Sequence, residues 1–348
     1  MPDSSTIEGR KLDHIRVALQ ENVAAKGVTT GFAAFRLPHT ALPDLDLNEI
    51  DTTITFLNKP IHAPLLISSM TGGASETERI NLTLAEAAQH VGVAMGVGSQ
   101  RAAIADERLA YTYQVRRVAP TIPLLANLGA VQLNYGFGVE QCQRAVDMIE
   151  ADALILHFNP LQEALQPEGN VNFKALLKQI ERVCREISVP VIAKEVGNGI
   201  GAEDARRLYG AGVRIVDVAG AGGTSWSEVE RFRQPTENGS QTAGAFAGWG
   251  LPTTEALQQL RHALPDITLI GSGGVQNGVD IAKALALGAN LAGVARSVLS
   301  AAVDERGAEA VVERLQVYIN QLRIAMFCTN AGTIEQLQKV KMDYVACM

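Results

Sequence analysis

The run Leu154-Ile155-Leu156-His157-Phe158-Asn159-Pro160-Leu161-Gln162-Glu163 carries an aliphatic stretch directly into an imidazole, two amides and a carboxylate. Burying such groups unpaired costs several kcal/mol, so they gather where a ligand, a metal or one another can satisfy them. Alone, His157 and Asn159 could simply serve nearby backbone groups. They are not alone. Ser69-Met70-Thr71-Gly72-Gly73, Gly98-Ser99-Gln100-Arg101, Asn127-Leu128-Gly129, Lys194-Glu195, Gly222-Gly223-Thr224-Ser225, Gly271-Ser272-Gly273-Gly274 and Ala295-Arg296-Ser297 also close short aliphatic or small-residue runs.

Lys194, behind Val191-Ile192-Ala193, is a cation that burial penalises unless an anionic or electron-rich group faces it. Three roles are open to it. It can pair with an acid such as Asp217, stabilise negative charge on a reduced flavin ring, or form a Schiff base with a carbonyl substrate. The glycines of 271–274 precede a helical pattern and free backbone N–H groups to hold a phosphate, with Thr224 and Arg296 expected at the same rim. No GxGxxG follows a first strand, which sets a Rossmann reading aside.

The elements that must position these groups repeat one unit from about residue 63: a β-branched or aliphatic run, a polar or glycine stop, then a helical pattern. Strands are expected at Pro64–Ser68, Val93–Val97, Pro123–Asn127, Ala153–His157, Val191–Glu195, Arg214–Val218, Thr268–Gly271 and Leu291–Val294. Helices are expected at Glu76–His90, Gly138–Glu150, Phe173–Ile187, Ala202–Gly210, Thr253–Leu264 and Gly278–Leu287, with another over Lys11–Gln20. Alternation of this kind predicts an α/β fold, a (β/α)8 TIM barrel over 63–348, preceded by an N-terminal arm over 1–62. Barrels of this type present their reactive groups at the carboxyl ends of the strands, where the polar residues fall. A long loop after strand six, about Gly220–Gly250, reads as irregular and as a lid or a disordered segment.

The 348 residues are 47% hydrophobic and 19% charged, a globular composition. A net charge of −7 and the lack of a basic tract argue against nucleic-acid binding. No apolar stretch nears the roughly 18 residues that span a bilayer, and the polar start predicts a cytoplasmic protein. Cys142, Cys184, Cys328 and Cys347 form no CxxC pair, so reduced thiols are expected. Cys328 reads as a small buried residue in the absence of a neighbouring base.

Taken in order, Arg10-Lys11-Leu12-Asp13-His14-Ile15, Ser69-Met70-Thr71-Gly72-Gly73, Gly98-Ser99-Gln100-Arg101, Asn127-Leu128-Gly129-Ala130, His157 to Glu163, Lys194-Glu195-Val196-Gly197, Gly222 to Trp226 and Gly271 to Gly274 resemble the type 2 isopentenyl-diphosphate isomerases. The match runs through almost the whole chain. Single motifs are shared with other FMN barrels, whereas the Arg-Lys arm joined to the Asn-x-x-Gln-Glu element is far more specific. The resemblance implies interconversion of isopentenyl and dimethylallyl diphosphates with reduced FMN and Mg2+, NADPH as reductant, and a homo-oligomer, tetramer or octamer. It implies that Ser69, Met70, Thr71, Ser99, Asn127, Lys194, Thr224, Gly271, Ser272, Gly273, Ala295 and Arg296 hold FMN. Arg10, Lys11, Ser99, Arg101, His157 and Gln162 would hold the substrate and Glu163 the Mg2+, with Gln162 and His157 as catalytic candidates. Ala219 departs from the pattern, standing where some relatives place a serine.

The chemistry agrees. An acidic protein needs Arg10, Lys11, Arg101, His157 and a metal at one spot to hold a diphosphate, and Mg2+ suits one carboxylate plus phosphate oxygens and water. Moving an unactivated double bond requires protonating one carbon and deprotonating another, and no ordinary acid–base pair stands out for this. Reduced flavin would supply what the side chains lack.

Plainer readings exist for each residue. Arg10 and Lys11 could be solvated, Arg101 could cap a helix or pair with Asp106, Glu163 could be an exposed acid in a first turn, and His14 could be surface. Competing functions are an FMN-dependent 2-hydroxy-acid oxidase or dehydrogenase, a non-catalytic flavin-binding barrel, and a Schiff-base aldolase. The oxidases need a base histidine and a carboxylate-binding arginine near the later strands; His262 there falls inside an expected helix.

Overall fold

Eight aliphatic runs, each too apolar to leave either face in water, pair side by side until the last meets the first. The computed structural model describes residues 7–345. Its barrel strands are β1 (Leu65–Ile67), β2 (Ala94–Gly96), β3 (Leu124–Gly129), β4 (Ala153–Phe158), β5 (Val191–Glu195), β6 (Ile215–Asp217), β7 (Thr268–Gly271) and β8 (Leu291–Val294). Each is parallel to its neighbour, and β8 pairs with β1 to close the barrel. Strands buried on both faces read as continuous apolar runs, and every residue of β1, β2, β3, β5, β6 and β8 is buried.

The helices are α1 (Ile7–Gln20), α2 (Ser75–Val91), α3 (Arg101–Ala105), α4 (Val139–Ile149), α5 (Pro160–Leu165), α6 (Leu176–Glu186), α7 (Ala202–Gly210), α8 (Trp226–Arg231), α9 (Glu237–Gly244), α10 (Thr253–Ala263), α11 (Gly278–Ala286), α12 (Arg296–Ala302), α13 (Ala308–Cys328) and α14 (Ile334–Leu337). Local chemistry sets several ends. Gly92 closes α2 at φ +76°, a backbone state glycine adopts without strain. The Asn277 side chain accepts from the N–H groups of Val279 and Asp280 to open α11.

One apolar core lies between barrel and helices, and a second fills the barrel itself with Leu66, Leu125, Ile155, Ile192, Ile215, Ile270 and Leu291. The amino-terminal mouth is plugged by an antiparallel hairpin, Ile54–Phe56 with Lys59–Ile61, whose Phe56 and Ile61 join the inner core. Asp152 pins this hairpin by accepting from Lys59 Nζ at 2.7 Å and from Arg116 Nη2 and the Leu124 N–H at 2.9 Å each. With that end sealed, the carboxyl ends of the strands form the open face.

The strand expectations hold to within two residues at each end. The stretch 220–250 does not: it contains α8 and α9, and the Thr236 hydroxyl caps α9 by accepting from the Gly239 N–H at 3.1 Å. Its glycine, serine and threonine content hid two short helices that tertiary contacts hold, α8 packing on α1, α5 and α9. Among the described residues no helix is long and apolar enough to cross a membrane. Cys142, Cys184 and Cys328 are free thiols; Cys347 lies outside the described residues.

Candidate active site

The carboxyl ends of the strands open into one cavity of about 740 Å³, within the range typical of small-molecule sites. Strand alternation decides what faces it. From β1 to β3 and the turns after them come Ser69, Met70, Thr71, Ser99, Arg101 and Asn127. His157 lies near the end of β4 and Gln162 and Glu163 follow it, while Lys194 is the penultimate residue of β5. Thr224, Ser272, Gly273, Ala295 and Arg296 complete the far wall, and Lys11 enters from α1. Gly271 is set apart: a Cβ there would meet Ala284, Ala289 and Leu257 in the helical layer. Arg10 sits on α1, and its side chain lies outside the described residues.

Register explains the centre of the site. Lys194 stands opposite His157 on one side and Asp217 on the other. Its Nζ lies 3.2 Å from Asp217 Oδ2 and donates to the Glu195 carbonyl at 3.0 Å. Asp217 is fully buried and also accepts from Ser272 Oγ at 2.5 Å. His157 Nδ1 lies 2.8 Å from Asn127 Oδ1. Burial, then the charges of Lys11 and Lys194, hold the imidazole down to about 3. His157 is therefore neutral near pH 7 in the free cavity, and the positive charge expected of it for diphosphate binding is absent there.

Next to it is a continuous polar chain. Asn159 Nδ2 donates to Gln162 Oε1 at 3.0 Å and to Glu163 Oε1 at 3.1 Å. Gln162 Nε2 donates to Glu230 Oε1 at 3.0 Å. His14 Nε2 lies 3.1 Å from the same oxygen, and Arg233 Nη1 donates to Glu230 Oε2 at 2.5 Å. Burial opposes ionisation of Glu230, but His14, Arg233 and Gln162 together hold its carboxyl below the usual range. His14 itself is pushed down, burial outweighing the pull of Glu230.

Glu163 is buried, and its second oxygen accepts from the Asn170 N–H at 2.5 Å. The exposed first-turn acid is thus excluded. Asp106 is taken by Arg108, with Nη2 to Oδ2 at 2.8 Å, rather than by Arg101. Glu195 adds a buried carboxyl that burial pushes up to about 7, against the pull of the Val196, Gly197 and Asn198 N–H groups on its Oε2.

The far wall is built for close approach. A Cβ on Gly223 would lie 2.5 Å from the Gly274 nitrogen, and one on Gly273, at φ +103°, would lie 2.2 Å from the Gly220 carbonyl oxygen. Only glycines allow these backbones to meet so closely. Ala219 precedes them at φ +37°, a state costly for a residue with a side chain.

Sequence reasoning missed Glu230 and Arg233 and gave His14 no role, leaving an ordinary surface position open to it. Their signal is the run Trp226-Ser227-Glu228-Val229-Glu230-Arg231, an amphipathic pattern inside a stretch read as irregular. His14 packs edge-on against Trp226 with ring centroids 5.1 Å apart, so the arm helix buries it.

Comparison with known proteins now adds to the geometry. Residues 150–343 match the family model described as FMN-dependent dehydrogenase. A Synechocystis sp. protein named isopentenyl-diphosphate delta-isomerase is 54% identical over 96% of this chain and 95% of its own. A Nostoc sp. protein of the same name is 49% identical over 97% of this chain and 95% of its own. Among solved structures, a lactate oxidase of Pediococcus acidilactici superposes with a TM-score of 0.69 at 16% identity, covering 100% of this chain and 96% of that one. A mandelate oxidase does so at 0.66 and 19%, covering 98% and 100%. At such identities these two speak to the barrel alone.

Proposed function

The chain belongs to the type 2, FMN-dependent isopentenyl-diphosphate delta-isomerase family, and from that premise we propose that its cavity interconverts isopentenyl and dimethylallyl diphosphates. The observation that carries this reading is the joining of Gln162, Glu230, Asn159 and Glu163 into one polar chain beside a glycine-lined wall.

The residues present fit FMN. Ser69 Oγ, Thr71 Oγ1 and Ser297 Oγ are buried on the cavity wall without a hydrogen-bond partner, a cost that a polar ligand would remove. The closely packed glycine backbones at 222–223 and 273–274 suit a phosphate. Ser69, Met70, Thr71, Ser99, Asn127, Lys194, Thr224, Gly271, Ser272, Gly273, Ala295 and Arg296 are the proposed holders, with Gly271 acting by backbone only. When bound and reduced by NADPH, FMN would supply a ring nitrogen able to exchange a proton and an electron-rich face beside developing positive charge.

Everything else falls to the chain. Lys11, Arg101 and, on the arm, Arg10 would take the diphosphate, with Ser99 and His157 adding hydrogen bonds. Among the described residues no group of three His, Cys, Asp or Glu forms a metal cage. Mg2+ would therefore be held by Glu163 together with phosphate oxygens and water, a habit of this ion. Each oxygen of Glu163 accepts one bond in the free site and retains lone pairs for a metal.

Gln162 would face the hydrocarbon with its amide fixed at both ends. Glu230, charged at neutral pH and out of water, is a positioning residue that fixes which edge of the amide points to the reacting carbons. Apolar neighbours such as Met70 and Trp226 keep water from the cation-like centre. The arm and barrel act together in one homo-oligomeric cytoplasmic enzyme in this reading.

The test is anaerobic incubation with isopentenyl diphosphate, Mg2+, FMN and NADPH, beside samples lacking reductant or metal. Dimethylallyl diphosphate is expected only in the complete mixture; tightly bound FMN without product would move the assignment to a 2-hydroxy-acid-oxidising barrel.

A further inference from the structure

The cavity floor holds a buried ion pair whose acid has no part in the roles described so far. Asp217, at the end of β6, is wholly buried, as is almost all of the Lys194 side chain. Its two oxygens have separate tasks, Oδ1 accepting from Ser272 Oγ at 2.5 Å and Oδ2 facing Lys194 Nζ at 3.2 Å. A cation removed from water needs a counter-charge, and among the described residues the charged or titratable groups facing Lys194 offer no other. His157, its neighbour on β4, is neutral, and Lys11 on α1 has the same sign. Glu195 turns its carboxyl to the backbone of 196–198 and gives Lys194 only a carbonyl.

We propose that Asp217 is a positioning residue for the flavin: anchored by Ser272, it holds the Lys194 ammonium in place on the floor of the cavity, where its charge acts on the ring of bound FMN. The inference rests on the flavin reading given above. Removing one partner of a buried pair is strongly unfavourable because the other is left as an uncompensated charge. Lys194 without Asp217 escapes that cost by swinging toward solvent or by losing its proton. Either way the positive field leaves the floor, so loss of the acid reproduces loss of the lysine. A purely structural Asp217 would change stability and leave the flavin's electron affinity to Lys194.

The experiment measures the flavin midpoint potential of the FMN-loaded wild type, Lys194→Met, Asp217→Asn and the double variant. Lys194→Met and Asp217→Asn are each expected to lower the potential, and the double variant to match Lys194→Met alone, since coupled residues do not add. Asp217→Glu, which keeps a carboxylate for Lys194, should lower it less, and have no effect in the Lys194→Met background. An unchanged or raised potential in Asp217→Asn, or a shift that persists without Lys194, overturns the proposal. Should Asp217→Asn not fold as a flavoprotein, the Asp217→Glu pair decides by the same criterion. If the wild type binds no FMN, or Lys194→Met leaves the potential where it was, the placement of Lys194 at the flavin falls, and this inference with it.

Discussion

Gln162 on α5 and Glu230 on α8 are joined by a hydrogen bond of 3.0 Å, although 68 residues separate them in the chain. A glutamine amide can turn over and exchange its oxygen for its nitrogen. Here Asn159 donates to the oxygen and Glu230 accepts from the nitrogen, so the orientation is set.

Loss of that acceptor should be felt in turnover more than in cofactor binding. Glu230→Ala is expected to lower kcat by roughly 100-fold, the order of effect a misplaced catalytic group produces, while FMN affinity stays near wild type. Glu230→Gln, which retains a side-chain oxygen for Gln162, should recover part of the rate. Steady-state kinetics and a flavin-binding titration on both variants check this.

The metal assignment depends on Glu163 alone among the described acids. Glu163→Ala should raise the Mg2+ concentration needed for half-maximal rate by at least roughly tenfold, in keeping with the loss of the one protein carboxylate such a site uses. A rate profile across Mg2+ concentrations that matches wild type would remove Glu163 from the metal.

His157 gives the free protein a pH signature. Its pKa is held down to about 3, whereas an unfolded histidine titrates near 6.5. Between these values the unfolded chain binds the extra proton. The residue thus costs nothing above pH ~6.5 and destabilises progressively below it, by up to about 1.4 kcal/mol per pH unit. Urea unfolding of the flavin-free wild type and His157→Asn at pH 7.5, 6.5 and 5.5 should show the variant gaining on wild type as pH falls. Glu195, raised to about 7, gives an opposite slope, its contribution shrinking as pH rises from the ordinary glutamate range toward 7. Both proteins share that slope, so it cancels in the difference.

At the other end of the barrel, Asp152→Ala should separate stability from chemistry. It removes the acceptor shared by Lys59, Arg116 and the Leu124 N–H, at an expected cost of roughly 2–3 kcal/mol given half-exposed, charge-assisted bonds. The folded fraction should retain wild-type kcat, which denaturant titration and kinetics together would establish.

How far the sequence reaches depends on whether an element announces itself locally. The barrel strands do, because parallel strands buried on both faces leave uninterrupted runs such as Val191-Ile192-Ala193, and the polar residues that stop them mark the open end. Lys194 can pair with Asp217, face a flavin or form a Schiff base on residue type alone, and register shows the first of these. Helix α8 left only the short run Trp226 to Arg231 as its signal. It is six residues long and held by α1, α5 and α9, so its Glu230 came into view only with those contacts. His14 was left without a role for the same reason, since a helix on an arm has no visible partner until Trp226 is set against it. The charge of His157 could not be read from residue type, because burial and two cations decide it.

The most direct test follows product and reductant in one sealed anaerobic sample, reading isopentenyl and dimethylallyl diphosphates by proton NMR and NADPH by absorbance. An isomerase of this kind should form many equivalents of dimethylallyl diphosphate per protein while consuming no more NADPH than is needed to reduce its flavin once. NADPH consumed in step with product, or no dimethylallyl diphosphate from a fully reduced, Mg2+-loaded protein, would contradict the account.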